Sequence, residues 1–404
     1  MRKLYVAMVG LPARGKSTLA RRLRQGLREE GIEAAIFNNG NVRRERLGEA
    51  SASAEFFNPD NAAGWQERDR IAMENMRAAQ NYLADKGEVA ILDATNASRK
   101  RRATIEATLT DHPVLFIECL NEDPLLLETG LRLKARNADF AGVPEAQALE
   151  SLRQRISHYE AVYTHVGPES GERYWICLDI TANRILGESP CSVSPYYPAI
   201  RDILVSTWVG RLYLARHGQT HYNLEGRIGG DPTLTDKGLR QAEALAEHLK
   251  DTPISWLFTS TRQRSHQTAA PCIARHPGIQ TLALPEFDEI RAGRCESMRY
   301  EDIRRDMPDV AAARDRDKYG FVYPEGESYA MLHERVRRGV QRALYLSGDA
   351  PIMIIGHQAI NRVVLSLFLR RRTEDIPYIY IPQNQYYLIS TTARRKLFEL
   401  VRFM

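Results

Sequence analysis

Gly10-Leu11-Pro12-Ala13-Arg14-Gly15-Lys16-Ser17 follows an apolar run at 4–9 and opens a stretch with helical spacing at 17–29. A strand, a glycine-rich turn and a helix in that order make a phosphate-cradling loop. The glycines let backbone N–H groups curl around phosphate oxygens, and the helix N-terminus adds positive potential. Lys16 is placed to reach the β- and γ-phosphates of a nucleotide, and the Ser17 hydroxyl to bind its Mg²⁺. Such a loop needs a parallel sheet behind it. The rest of the first half agrees: runs at 33–37, 89–92 and 114–118 read as strands, separated by helical stretches such as 68–86. Strand alternating with helix predicts an α/β fold with a mostly parallel sheet covered on both faces.

The second half repeats the style. Runs at 211–215, 256–259 and 352–355 read as strands, and 235–250 and 328–346 as helices. Between the halves, 187–209 contains Ser189-Pro190, Ser194-Pro195 and Tyr197-Pro198. Proline is expected to exclude regular helix there, which puts the domain boundary in this region, with domains at 1–205 and 206–404. A chain of 404 residues is long enough for two such domains.

Composition excludes several classes. The five cysteines, Cys119, Cys177, Cys191, Cys272 and Cys295, have no paired spacing, which argues against a zinc site or a disulfide framework and fits a reducing cytoplasm. No apolar run approaches a membrane span. The basic start and the apolar run behind it mimic a signal peptide, but the run passes into the glycine-rich loop without a small-residue cleavage site. The net charge of +5 is mild and dispersed. It suits small anionic substrates and does not call for nucleic acid.

Two sets of polar residues carry the chemistry. In the first half, Ile91-Leu92-Asp93-Ala94-Thr95-Asn96 ends a strand on an acid. Beside a phosphate loop, Asp93 is expected to hold the metal or its water, or to sit near an acceptor hydroxyl. Arg43, Arg44, Arg68, Arg99 and Arg101 cluster near expected loop ends. Arg155 and Tyr159 are four apart on an expected helix at 145–163 and share a face. Arginine forks suit a phosphate on the acceptor.

In the second half, Arg216-His217-Gly218 leaves a strand end. A neutral imidazole there can attack phosphorus and carry the phosphoryl group, with Arg216 clamping its oxygens. Arg264, Glu289, His357 and Asn223 lie at other expected loop ends, a set that suits a charged phosphoryl pocket.

Both halves resemble the bifunctional 6-phosphofructo-2-kinase/fructose-2,6-bisphosphatases. Gly10–Lys16 matches that family's GLPARGK letter for letter. Further matches are Phe37-Asn38-Asn39-Gly40-Asn41-Val42-Arg43-Arg44-Glu45, Phe56-Phe57-Asn58-Pro59-Asp60-Asn61, Asp93 through Arg102, and Gln154-Arg155-Ile156-Ser157-His158-Tyr159 with Gln154 for a lysine. The resemblance implies ATP on Gly10 through Thr18 with Lys134, and fructose 6-phosphate on Arg44, Arg68, Thr95, Arg101, Lys134, Arg155 and Tyr159. Lys16, Asp93 and Lys134 would be catalytic, with Mg²⁺ entering with ATP on Ser17 and Asp93. The family's frequent cysteine before its acidic-acidic-proline motif is replaced by Asn121, so no role of that thiol operates here.

The second half resembles the histidine phosphatase superfamily, with a phosphoglycerate mutase-like fold. Gly226-Arg227-Ile228-Gly229-Gly230-Asp231, Asp317-Lys318-Tyr319, Tyr323-Pro324-Glu325-Gly326-Glu327-Ser328-Tyr329 and His357-Gln358-Ala359 carry the bisphosphatase branch's wording. By that resemblance His217 is the nucleophile and Glu289 the proton donor, while Arg216, Asn223, Arg264 and His357 hold the transferred phosphoryl. Gly229, Tyr300, Arg314, Lys318, Tyr329, Gln358 and Arg362 would contact the rest of fructose 2,6-bisphosphate. Arg314 and Lys318 are four apart, as are Gln358 and Arg362, so each pair is expected to share a helical face. The resemblance also implies a homodimer.

The leading expectation is therefore an enzyme that both makes and hydrolyses fructose 2,6-bisphosphate, the second step through a phosphohistidine. Two alternatives are a P-loop kinase for another metabolite or a polynucleotide end fused to a general histidine phosphatase, and a ligand-sensing scaffold descended from such an enzyme. The arginine set argues against the first, and intact Lys16, Asp93, His217 and Glu289 against the second.

Overall fold

A computed structural model describes residues 3–48, 53–58, 60–207, 209–369, 371–392 and 395–404. Pro59 of the Phe56–Asn61 motif lies outside them. The chain divides into two compact units, Met1–Ser206 and Thr207–Met404.

The first unit is built on six strands: β1 (Leu4–Val9), β2 (Ala34–Asn38), β3 (Val89–Asp93), β4 (Val114–Leu120), β5 (Trp175–Asp179) and β6 (Arg184–Ser189), in the order β2-β3-β1-β4-β5-β6. All pairs are parallel except β5 with β6. Every residue of β1 is buried, odd and even alike. Such a strand has no solvent face, so helices cover both sides of the sheet. Tyr5, Ala7 and Val9 pack with Phe116, Leu92, Met76 and Ile105 in one core cluster. Helices begin where side chains accept otherwise unpaired backbone N–H groups: Asn38 for the helix Asn39–Leu47, Asn61 for Ala62–Ala84, Ser98 for Arg99–Thr108 and Asp123 for Pro124–Ala135.

The second unit has β7 (Leu212–Arg216), β8 (Trp256–Thr259), β9 (Gln280–Ala283), β10 (Ile352–Gly356), β11 (Gln385–Thr391) and β12 (Lys396–Arg402), in the order β12-β11-β7-β10-β8-β9. β7, β10, β8 and β9 run parallel, and the hairpin of β11 and β12 joins β7 antiparallel. Both units thus have the mostly parallel α/β architecture expected. In each, the polar residues of interest follow the carboxyl ends of buried strands, where α/β sheets place ligands.

Three expectations need correction. Proline does not exclude helix from 187–209. Tyr197–Val205 is helical, with Pro198 in the first turn, where a missing N–H costs nothing. Arg314 and Lys318 do not share a helical face, because the helix Pro308–Arg316 ends before Lys318. Of the first-half arginines, Arg99 and Arg101 lie at a loop end, in the first turn of Arg99–Thr108, but Arg43 and Arg44 lie inside the helix Asn39–Leu47 and Arg68 inside Ala62–Ala84.

Candidate functional site

The nucleotide loop leaves β1 through Gly10, whose φ of 141° is open to glycine. A Cβ there would stand 2.9 Å from the carbonyl oxygen of Cys119, so the loop crosses close over the end of β4. The Gly10 N–H donates to the Thr95 carbonyl at 3.1 Å, which ties the loop to the Asp93–Asn96 turn. Gly15, at φ 78°, caps the helix Lys16–Glu29 without a side chain, leaving the first-turn N–H groups directed at the loop. Lys16 is 8% exposed, and its ammonium donates to the Leu11 carbonyl at 2.7 Å. Burial lowers its pKa to about 8, opposed by Asp93. Lys134, in the last turn of Pro124–Ala135, is lowered to about 7 by burial and then by the charges of Arg155 and Lys16. Two cations kept from water beside one another leave positive charge that a polyphosphate would neutralise. Arg14 reaches across to the Asn121 carbonyl.

Asp93 ends β3 next to β1 and is buried, with its Oδ2 accepting from Asn38 Nδ2. No cluster of three or more His, Cys, Asp or Glu able to hold a metal is present among the described residues. Ser17 and Asp93 thus offer one hydroxyl and one carboxylate. That donor set fits a Mg²⁺ ion held chiefly by phosphate oxygens and water.

The arginines converge on Phe57, a residue whose role was not legible in the sequence. The Arg155 guanidinium lies 3.5 Å from the Phe57 ring centroid, with Arg43 and Arg68 at 5.4 and 5.6 Å. The Tyr159 ring is 6.1 Å away. Arg68 is also fixed by the Gly64 and Phe57 carbonyls, both at 3.2 Å. Asp139 receives Arg43 at 2.8 Å and Arg44 at 3.3 Å. Arg101 pairs with Asp69 at 2.8 Å. The buried Nε of Arg155 has no hydrogen-bond partner, and burial lowers this guanidinium's pKa to about 10. An unpaired buried donor is costly, so Arg155 is poised for an anion.

In the second unit, one pocket is lined by Arg216, His217, Asn223, Gly229, Arg264, Glu289, Tyr300, Arg314, Lys318, Tyr329, Gln358 and Arg362. These residues come from positions about 150 apart in the chain, and His357 is wholly buried behind them. His217 follows β7. Its Nδ1 lies 2.7 Å from the Gly218 carbonyl, which can only accept, so Nδ1 carries the proton and Nε2 keeps a lone pair. Burial, then the charges of Arg216 and Arg264, lower the His217 pKa well below 6.5. The imidazole is therefore neutral at physiological pH, as a nucleophile must be. Burial and Arg264 do the same to His357.

Glu289 accepts the N–H of Ile290 at 3.0 Å, Gln358 at 3.1 Å and Ala359 at 3.3 Å, so it sits at the N-terminus of the helix Gln358–Phe368. Asn223 lies in the short helix His221–Glu225, where its side chain closes a capping box with Thr220. Gln383, which the sequence did not single out, donates to Asn223 at 3.0 Å and to the His217 carbonyl at 3.2 Å. Gly229 has φ 67°, in the left-handed region that favours glycine, and the Glu296 carboxylate stands where a Cβ would go. Farther out, Arg362 donates to Tyr329 at 3.0 Å, Arg314 to Tyr323 at 2.7 Å, and the Lys318 ammonium stands 4.5 Å from the Tyr378 ring centroid. Burial, then Arg362 and Arg314, lower the Lys318 pKa to about 8. Six cationic side chains, Arg227 among them, face one acid, Glu289, across this pocket. A ligand with more than one phosphate would balance that field.

The fold and its two sites define a P-loop kinase domain followed by a histidine phosphatase domain. Family models agree: 6-phosphofructo-2-kinase matches residues 1–185, and the histidine phosphatase superfamily (branch 1) matches residues 212–403. The chain is 35% identical over 391 residues to a Gallus gallus 6-phosphofructo-2-kinase/fructose-2,6-bisphosphatase, covering 93% of this chain and 80% of the relative. It is 35% identical over 389 residues to the Homo sapiens form 1, with 93% and 79% covered, and 34% identical over 390 residues to the Homo sapiens form 3, with 93% and 72% covered. An alpha-ribazole phosphatase from Shigella flexneri superposes with a TM-score of 0.45 at 22% identity, covering 48% of this chain and 96% of that one. The chain belongs to the bifunctional 6-phosphofructo-2-kinase/fructose-2,6-bisphosphatase family.

Proposed function

We propose that this chain makes fructose 2,6-bisphosphate from fructose 6-phosphate and ATP and hydrolyses it back to fructose 6-phosphate and phosphate. The observation that carries the reading is one polypeptide holding both a lysine-bearing nucleotide loop and a cationic pocket around a neutral histidine. The family relationship favours it over a kinase for another acceptor joined to a general phosphatase.

In the first unit, O2 of fructose 6-phosphate attacks the γ-phosphorus, the bond to the bridging oxygen of ADP breaks, and the O2 proton passes to solvent water. Lys16 and Lys134 neutralise charge on the phosphates, and Arg44, Arg68, Arg101 and Arg155 with Thr95 and Tyr159 hold the sugar phosphate. Mg²⁺, which shields the β- and γ-phosphates, would rest on Ser17 with Asp93 beside it. In the second unit, Nε2 of His217 attacks the 2-phosphorus, and the bond from phosphorus to O2 breaks. Glu289 supplies the proton to O2, and Arg216, Arg264 and Asn223 hold the phosphoryl group, with His357 bracing Arg264 from behind. Water then cleaves the N–P bond and releases phosphate. The distal cations Arg314, Lys318 and Arg362, with Tyr300, Tyr329, Gln358 and Gly229, take the rest of the substrate.

No helix among the described residues is long and apolar enough to cross a membrane. The five free cysteines suit a cytoplasmic enzyme, and we take the assembly to be a homodimer. Incubation with Mg-ATP and fructose 6-phosphate, with direct detection of the 2,6-bisphosphate and of its decay after ATP removal, tests the reading. Product only with another acceptor would refute it.

A further inference from the structure

Glu327 belongs to a motif the sequence singled out, yet neither reaction step uses it. It is 3% exposed and carries an ion pair with Arg335 of the helix Tyr329–Ser347. Arg335 Nε meets Glu327 Oε1 at 3.1 Å, and Nη2 meets Oε2 at 2.8 Å, a two-pronged fork. The remaining donor, Nη1, is shared among three nearby carbonyls: Pro285 at 3.1 Å, Glu286 at 2.9 Å and Asp288 at 2.9 Å. Glu327 in turn accepts the Arg291 N–H at 3.1 Å and returns its own N–H to the Arg291 carbonyl at 2.9 Å. The pair therefore grips the chain one residue before Glu289 and two residues after it. A second brace acts on the same stretch: the Asp288 carboxylate accepts the Thr261 N–H at 2.8 Å.

A segment without regular structure is thus held, on both sides of one carboxylate that faces the phosphoryl pocket, by an ion pair of the buried Glu327 and the half-buried Arg335. Burying such a pair is rarely the cheapest way to stabilise a fold, since apolar residues often do as well. Its value here is directional. Holding both flanking peptides fixes where the Glu289 side chain starts and which way it points. We propose that Glu327 and Arg335 are positioning residues for phosphoryl transfer, aiming Glu289 at the departing sugar oxygen. This rests on the reading of Glu289 as the proton donor.

The test exploits the leaving group. Proton donation matters when a sugar alkoxide departs and matters little when para-nitrophenolate departs. Glu327→Gln keeps the side-chain shape and an acceptor for Arg291 but loses the charged fork. In the full chain, it should lower kcat for fructose 2,6-bisphosphate about ten- to a hundred-fold, with KM nearly unchanged, because small misplacements of a reacting group carry that scale of loss. Turnover of para-nitrophenyl phosphate should change far less. Glu289→Gln, run in parallel, should show the same selectivity. Equal loss on both substrates, or no loss on either, in a protein that keeps its kinase activity and thermal transition overturns the clamp. A Glu289→Gln variant without selectivity overturns the donor assignment instead. If Glu327→Gln does not fold, Arg335→Lys, which keeps the buried charges balanced but cannot form the fork, takes the same measurements and is judged by the same outcomes.

Discussion

Arg264 donates its Nε–H to Nδ1 of His357 at 3.1 Å, and this bond decides which proton the buried imidazole carries. A guanidinium can only donate, so Nδ1 must accept and Nε2 holds the hydrogen. Nε2 is 2.8 Å from the Ser260 hydroxyl, which passes the chain on to Ser265 at 2.8 Å. The opposite tautomer is found in His217, with its proton on Nδ1 and its Nε2 lone pair free. The two rings lie 5.1 Å apart by centroid. Two neutral histidines in opposite tautomers divide the work: one has a lone pair to attack with, the other only a fixed edge.

Acid should destabilise this arrangement in a defined window. His217 and His357 both have folded pKa values well below 6.5, chiefly through burial. Below about pH 6.5 the unfolded chain takes up protons that the folded pocket refuses. Their contribution is therefore complete above 6.5 and is lost as pH falls beneath it. Thermal unfolding of the full chain should drop in midpoint across pH 6.5 to 5, and His357→Gln should shrink that drop. An unchanged slope in the variant would mean that His357 titrates normally.

The phosphate loop makes the opposite demand at its lysines. Burial sets Lys16 near 8 and Lys134 near 7 in the ligand-free protein. Each is charged below its pKa and neutral above it. ATP affinity should therefore weaken as pH rises from 7 to 9, because neutral amines do not attract the β- and γ-phosphates. Calorimetric titration with Mg-ATP across that range would show it. Lys16→Ala should abolish kinase turnover while bisphosphatase activity persists. Parallel loss of both activities in a folded variant would contradict separate sites.

Arg155 should govern the sugar phosphate rather than the nucleotide. Its guanidinium is stacked on Phe57 and has an Nε with no partner. Arg155→Ala should raise KM for fructose 6-phosphate about ten- to a hundred-fold, the scale of a lost charge-assisted hydrogen bond. KM for ATP should move much less. Steady-state kinetics with each substrate varied would expose an error, since an unchanged sugar KM removes Arg155 from the site.

Much of this was legible because the chemistry follows strand ends. Asp93, His217 and His357 each come directly off, or end, a fully or largely buried apolar run, and such runs are easy to read. What stayed hidden has physical causes. β12 is mostly exposed at a sheet edge, with only Phe398 and Val401 half-buried, so no alternating or buried apolar pattern marks it. The helix Tyr197–Val205 was obscured by Pro198, whose effect depends on where in the helix it falls. Lys318 reaches the pocket from beyond a helix end, which spacing alone does not foresee. Phe57, Gln383 and Arg335 act through contacts made only when distant segments meet, and Glu327 showed its motif but not its partner.

His217 should carry the phosphoryl group during turnover of fructose 2,6-bisphosphate, because its Nε2 lone pair lies in a pocket where Arg216 and Arg264 await an anion. The Arg216 Nε is buried without a hydrogen-bond partner, which a phosphoryl oxygen would supply. Rapid quenching with substrate radiolabelled in the 2-phosphate should trap an acid-labile phosphoprotein, and peptide mapping should put the label on His217. His217→Ala should leave no label and little hydrolysis while kinase activity remains. Arg264→Lys keeps the charge but loses the fixed Nε–H that orients His357 and the bond to the Gly230 carbonyl at 2.7 Å. It should slow label formation about ten- to a hundred-fold, the scale of one or two lost charge-assisted hydrogen bonds. Label on any residue other than His217, or full turnover without that imidazole, would refute the mechanism. Unchanged labelling in Arg264→Lys would show that charge alone, and not the aimed donor, serves the transfer.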